Sequence, residues 1–413
     1  MPDNFRMKKS SLFIPPRRPD AAQPLRHGWG AMLWTGFRRL LMVFGAIFLG
    51  TALLVMFASV AVLKGVHQES LPGNIVLEMT LDGDYPEYEL VSNPLAGGGP
   101  TMLQVVNALD HASRDKRVKG IVVDLESSSM TLGHIEEFRA ALIRFRKANK
   151  FAYIYGPEYG DPGRGLGTYY LVSAFGQIWM QPVGALSIAG ISAEMPFARG
   201  LLDKVGVQPE FFQRKEYKSL FESFENKEMS PASREEMSSL LQDLGGQLID
   251  GIAQARGMTP AAVRAVVDKG MYTDKEALAA GLVTRLDSYD VLKDQVREEV
   301  TGKKAPAKPG LAKIAAKKNI KKDVHDGLFV DIDRYVLDNK NDPGQTVAGL
   351  SGHKKRVALV YITGTITAQP STHTNAFGGS PSGENITDDL LAIADDPDVD
   401  IVVLRIDSPG GSP

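Results

Sequence analysis

Arg117-Val-Lys-Gly-Ile-Val-Val-Asp124 and, about 280 residues later, Asp398-Val-Asp-Ile-Val-Val-Leu404 decide how this chain is to be read. Each gathers β-branched and apolar residues into a short run, the pattern of a buried strand. Before the first copy, Asn74-Ile-Val-Leu-Glu-Met-Thr80 reads as another largely buried strand. After it, Ile135, Phe138, Leu142 and Phe145 recur at helical spacing, and Phe151-Ala-Tyr-Ile-Tyr155 returns as a strand. Strand, helix, strand in that order predicts parallel βαβ units. Around the second copy, Arg356-Val-Ala-Leu-Val-Tyr-Ile-Thr-Gly-Thr-Ile366 echoes the strand at 74–80, and Ile386 to Ala394 echoes the helix near Leu103 to Leu109. The expectation is one α/β unit present twice, with the second copy cut short.

Between the copies the helix boundaries are written in local chemistry. Ser230-Pro231 places a cap before a proline at the first helical position, Met237, Leu240, Leu241, Leu244 and Leu248 form an apolar face, and Gly257 ends the helix. Thr259-Pro260 opens another helix that Gly270 closes. Thr273 with Glu276 forms a capping box, and Gly281 ends that short helix.

A net charge of −2 with 23% charged residues gives no global basic field, so no nucleic-acid partner is expected. The absence of cysteine removes disulfides, thiol nucleophiles and Cys-based metal sites together. His27, His67, His111, His134, His325, His353 and His373 are scattered without metal-ligand spacing, and read as structural or solvated side chains. No metal and no cofactor are expected.

Leu40 to Leu63, LLMVFGAIFLGTALLVMFASVAVL, carries no charge, and at about 1.5 Å rise per residue it is long enough to cross a bilayer. Eight Lys/Arg precede it, and after Lys64 none appears until Arg114. That asymmetry places the N-terminus in the cytoplasm and the rest in the periplasm, with the inner membrane between them. The organisation expected is a basic cytoplasmic tail (1–39), a transmembrane anchor (40–63), a first α/β repeat (65–300), a Lys/Ala/Pro linker (301–325) and a truncated second α/β repeat (326–413). The linker's lysines read as a solvated surface, with docking on anionic lipid as the minority alternative.

The chemistry concentrates in Ile401-Val-Val-Leu-Arg-Ile-Asp407-Ser408-Pro409-Gly410-Gly411-Ser412-Pro413. A buried strand followed by Pro-Gly-Gly forces a sharp turn, and a hydroxyl at its end, Ser412, is presented as a nucleophile would be. Gly410 and Gly411 are either oxyanion-hole backbone or turn glycines with no ligand. Gly364 follows its strand and either borders the cleft or makes a bulge or turn. The first copy has Glu126-Ser-Ser-Ser129 where the second has the glycine turn, so it is expected to supply no nucleophile. A serine needs a base, and with no suggestively placed histidine a lysine freed of its charge by burial is the usual substitute. Spacing alone does not say which lysine.

Arg214-Lys-Glu-Tyr-Lys218-Ser-Leu-Phe-Glu222-Ser-Phe224, with Met229-Ser-Pro-Ala-Ser-Arg234, resembles the lysine segment of the signal peptide peptidase SppA family. Asp407-Ser-Pro-Gly-Gly-Ser412 resembles that family's nucleophile turn, and Tyr169-Tyr-Leu-Val-Ser-Ala-Phe-Gly-Gln-Ile-Trp179, the apolar anchor and the tandem repeat agree. The likeness runs from about residue 40 onward and suits the long, two-repeat form. It implies a ClpP/crotonase-like α/β fold and a Ser–Lys dyad peptidase, a homo-oligomer that degrades signal peptides at the membrane. By position, Ser412 matches the nucleophile and Lys218 the general base, which would have to be desolvated to act. The family continues beyond its nucleophile into a helix, whereas Pro413, which has no N–H to offer an oxyanion, follows Ser412 here. The expectation is a chain of weak or no activity. The competing expectations are a catalytically silent membrane-anchored assembly and a crotonase-type acyl-CoA enzyme, the latter at odds with a periplasmic location.

Overall fold

The computed structural model describes residues 34, 37–51, 53–54, 71–87, 99–127, 129–160, 165–219, 221–303, 327–339, 356–367 and 382–411. Ser412, nearly all of the basic tail, the latter part of the apolar run and most of the lysine-rich stretch lie outside them. The chain divides into two units, residues 1–69 and 70–413. In the first, residues 37–51 form a helix (α1) whose apolar side chains, Leu40 through Leu49 among them, are exposed. Among the described residues no helix is long and apolar enough to cross a membrane.

The second unit is built on a six-stranded sheet in the order β7-β4-β3-β2-β1-β8. Its strands are β1 (Ile75–Leu81), β2 (Val118–Leu125), β3 (Phe151–Gly156), β4 (Gln177–Met180), β7 (Arg285–Leu286) and β8 (Phe329–Asp331), every pair parallel. A short antiparallel pair, β5 (Ala185–Ser187) and β6 (Met271–Thr273), lies beside it. Parallel strands need both faces covered, and the strand sequences show it: Ile121 and Val123 face one core, Val122 the other. The larger core is packed by α2 (Met102–Arg114), α3 (Leu132–Lys147) and α4 (Gly165–Ser173), and the smaller by α10 (Tyr289–Thr301).

Between β5 and β6 run α5 (Arg199–Lys204), α6 (Glu222–Glu225), α7 (Pro231–Arg256) and α8 (Pro260–Lys269), with α9 (Asp274–Ala279) after β6. The predicted caps are present. Ser230 accepts from the Ser233 N–H, Thr259 from the Ala262 N–H, and Thr273 and Glu276 close a reciprocal capping box. The apolar face of α7 differs from expectation. Of its five predicted residues only Leu248 is buried, because the hydrophobic core meets α7 only toward its carboxyl end, at Leu248, Ile252 and Ala253.

The domain boundary at 326 also shifts. β8 pairs with β1, and α11 (Ile332–Asn339) lies against α2, with Tyr335 fully buried. Residues 327–339 therefore complete the first sheet, drawn there by the apolar side chains of Leu328, Val330, Ile332 and Tyr335. The second copy consists of β9 (Val357–Thr363), α12 (Gly383–Ala394) and β10 (Ile401–Asp407). β9 and β10 pair in parallel from Val357↔Ile401 to Thr363↔Asp407, matching the β1–β2 pair, which closes at Leu81↔Leu125. The strand predicted to be buried is not: the apolar side chains of β10 are 36% to 61% exposed, since among the described residues its sheet has two strands and α12 buries no residue.

Candidate active site

The carboxyl ends of β9 and β10 carry the glycines singled out by sequence, where loops leaving parallel strands gather functional groups. Gly364, at φ +82°, donates its N–H to the Asp407 carbonyl at 2.8 Å. Ile366 donates to the Gly410 carbonyl at 3.0 Å, and Gly411 sits directly opposite Ile366. Each glycine has its own reason to be glycine. Gly410 takes φ +104°, open to glycine alone, while a side chain at Gly411 would place its first carbon 1.8 Å from the Ile366 carbonyl oxygen. The turn closes locally, with the Gly410 N–H donating to Ser408 Oγ at 3.1 Å. Among the described residues the Gly411 N–H has no such partner.

Lys218 lies in the segment joining α5 to α6. Its N–H donates to the Lys215 carbonyl at 3.3 Å, and Lys215 holds the left-handed backbone (φ +74°) that turns the chain. The Lys218 side chain is exposed, and among the described residues its ammonium has no ion pair and no bond to the glycine turn. The structure thus brings Gly364, Gly410 and Gly411 together and holds Lys218 in a separate turn.

Two features went unread in the sequence. Glu222, a charged residue inside the lysine segment, is buried. The other is a cleft of about 510 Å³ between the two copies, where Glu87, His134 and Glu137 face Arg405 of β10. Arg405 reaches Glu137 through two bonds of 2.8 Å and also pairs with Glu87. His134 lies between Asp84 at 2.6 Å and Glu87 at 2.8 Å. Desolvation would lower the His134 pKa, but its bonds to Asp84 and Glu87 outweigh that and raise it. Desolvation likewise works to raise Glu87, and hydrogen bonds from Arg405 and His134 outweigh it, so Glu87 titrates low. No signal in the sequence joins residues so far apart along the chain.

Residues 146–303 match the family model described as Peptidase family S49. That span contains Lys218 and its flanking turns; Ser412 lies beyond it. The "Serine protease SPPA, chloroplastic" of Arabidopsis thaliana is 24% identical over 336 residues, covering 81% of this chain and 45% of that protein. "Protease 4" of Salmonella typhi is 26% identical over 314 residues (76% of this chain, 46% of that protein). "Protease 4" of Haemophilus influenzae is 27% identical over 327 residues (75% and 46%). The chain spans a little under half the length of these relatives. It is similar to SppA-type serine peptidases, and its parallel α/β sheet is consistent with that likeness.

Proposed function

We propose that this chain carries the machinery of a serine endopeptidase in which Ser412 is the nucleophile and Lys218 the general base. In the acylation step the Ser412 hydroxyl proton passes to the neutral Lys218 amine as Oγ bonds to the peptide carbonyl carbon. The Gly411 N–H stabilises the oxyanion, the C–N bond breaks, and the proton carried by Lys218 leaves with the amine. Water then hydrolyses the acyl-enzyme by the same route.

The observation that carries this reading is the coincidence of the S49 match across the Lys218 segment with a glycine turn at the end of β10, immediately before Ser412. The substrates are peptides, signal peptides above all, met at the membrane. The uncharged run from Leu40 to Leu63 supports an anchor in the inner membrane, and exposed apolar side chains all along α1 suit lipid better than water. A homo-oligomer fits the same picture, because an exposed lysine becomes a base only when something covers it.

That exposure also favours a second reading, a catalytically silent membrane-anchored assembly. Labelling of the intact protein by a serine-directed fluorophosphonate separates the two. The peptidase reading expects labelling that disappears in Ser412→Ala and turnover that disappears in Lys218→Ala. A folded protein that takes no label is the silent assembly.

A further inference from the structure

We infer that Glu222 is a positioning residue for Lys218, its buried carboxylate tying the lysine turn to the amino-terminal turn of α7. The inference deepens the Ser–Lys reading above and rests on it.

Glu222 is 4% exposed, and a carboxylate that deep persists only where its oxygens are occupied. One oxygen accepts from the Ser230 N–H and from Asn226 Nδ2 at 3.2 Å, and the other from the Ser233 hydroxyl. Desolvation works to raise its pKa, but the bonds from Ser233, Ser230 and Asn226 outweigh it and keep the group ionised. The anion therefore sits at the positive end of the 26-residue α7.

What Glu222 does there is not ordinary capping. Ser230 already caps the helix by accepting from the Ser233 N–H at 3.2 Å. In a capping box the N3 side chain would reach back to the N-cap N–H; here N3 is Ser233, and Glu222, eight residues before the cap, takes that part. An acceptor from within α7 would fix only α7. One brought from upstream also fixes the upstream segment.

That segment is the lysine turn. The Glu222 N–H donates to the Ser219 carbonyl at 3.0 Å, next to Lys218. On the other side the Tyr217 hydroxyl donates to Glu235 of α7 at 3.3 Å, an exposed and weaker contact. Lys218 thus stands between two tethers to one helix, and Glu222 is the buried, charged one. A dyad base must be held to a fraction of an ångström relative to its serine, and misplacement of about 1 Å costs on the order of 10²-fold in rate.

The test compares Glu222→Ala, Glu222→Gln and Lys218→Ala in the intact protein, by backbone hydrogen exchange and by hydrolysis of a fluorogenic signal-peptide analogue. Glu222→Ala is expected to speed exchange over residues 215–222 about tenfold or more, leaving residues 248–256 protected. Its kcat should fall roughly 10²-fold with KM nearly unchanged, and the acidic limb of its kcat profile should move. Glu222→Gln, which keeps one acceptor for the Ser230 N–H, should recover part of both. Unchanged exchange over 215–222 overturns the tether. An unchanged kcat in Glu222→Ala, where Lys218→Ala is inactive, overturns the positioning role. Wild-type turnover in Lys218→Ala overturns the dyad reading itself, and the role of Glu222 falls with it whatever the exchange shows.

Discussion

At the scale of single residues, the three glycines at the carboxyl ends of β9 and β10 answer to different constraints, and substitution separates them. Gly364 has a positive φ but no atom within 4 Å of where a side chain would begin, so Gly364→Ala meets backbone strain alone. It should destabilise by about 1–2 kcal/mol in urea denaturation and leave serine-probe labelling largely intact. Gly411→Ala meets the Ile366 carbonyl oxygen at 1.8 Å and forces the backbone apart. If the Gly411 N–H holds the oxyanion, labelling should drop roughly 10²–10³-fold, well beyond the loss in Gly364→Ala. Equal loss in the two variants would remove Gly411 from the oxyanion role. Sequence made both Gly410 and Gly411 turn candidates, because Pro-Gly-Gly is local chemistry. It had no means to tell them apart, since what distinguishes them is the approach of the segment after β9, more than 40 residues upstream, at Ile366.

At the scale of elements, the ends of α7 were legible and its packing was not. Ser230, Pro231 and Gly257 act on backbone groups within a turn of themselves, so their roles hold in any surroundings. The face from Met237 to Leu248 has helical periodicity throughout, but periodicity records which side could be covered, not how much is. Cover of that apolar face arrives only near the carboxyl end, where Arg139 of α3 stacks on Tyr170 of α4 and donates to the Gly251 carbonyl at 3.2 Å. Two truncations on this one face should therefore part. Leu248→Ala, at 2% exposure, should cost about 2–5 kcal/mol. Leu240→Ala, at 50% exposure, should fall within about 0.5 kcal/mol of wild type in the monomer. Chemical denaturation decides it, and comparable losses would mean that the amino-terminal half of α7 is covered in solution. The same limit explains β10. Its run of Ile, Val and Leu is a true strand, paired in parallel with β9, yet burial depends on neighbours that strand sequence does not encode.

At the scale of the whole second unit, the β9–β10 pair meets the first repeat through a polar junction, with Arg405 between Glu87 and Glu137 and His134 between Asp84 and Glu87. Asp407 also lines the cleft, and Tyr361 feels Arg405 and Glu87, so the charges facing His134 come from both copies. Removing Arg405 leaves Glu137 without its cation and Glu87 with His134 alone. Arg405→Ala should cost roughly 3 kcal/mol and speed hydrogen exchange of β9 and β10 more than that of β2. Protonation should act on the same junction from both sides. His134 titrates above its ordinary 6.5, so the stability it lends is fully present below that value and is lost as pH rises through its folded pKa. Glu87 titrates below its ordinary 4.5, so its share is present above that value and lost as pH falls through its folded pKa. The junction is thus tightest in the mildly acidic window between the two. Exchange protection of β9 and β10 should peak there, falling on one side as pH rises through the folded His134 pKa and on the other as it drops through that of Glu87, while β2 stays protected on the alkaline side. His134→Asn should flatten the alkaline fall and spare the acidic one. An alkaline fall that survives in His134→Asn would assign the pH dependence to a group outside this junction.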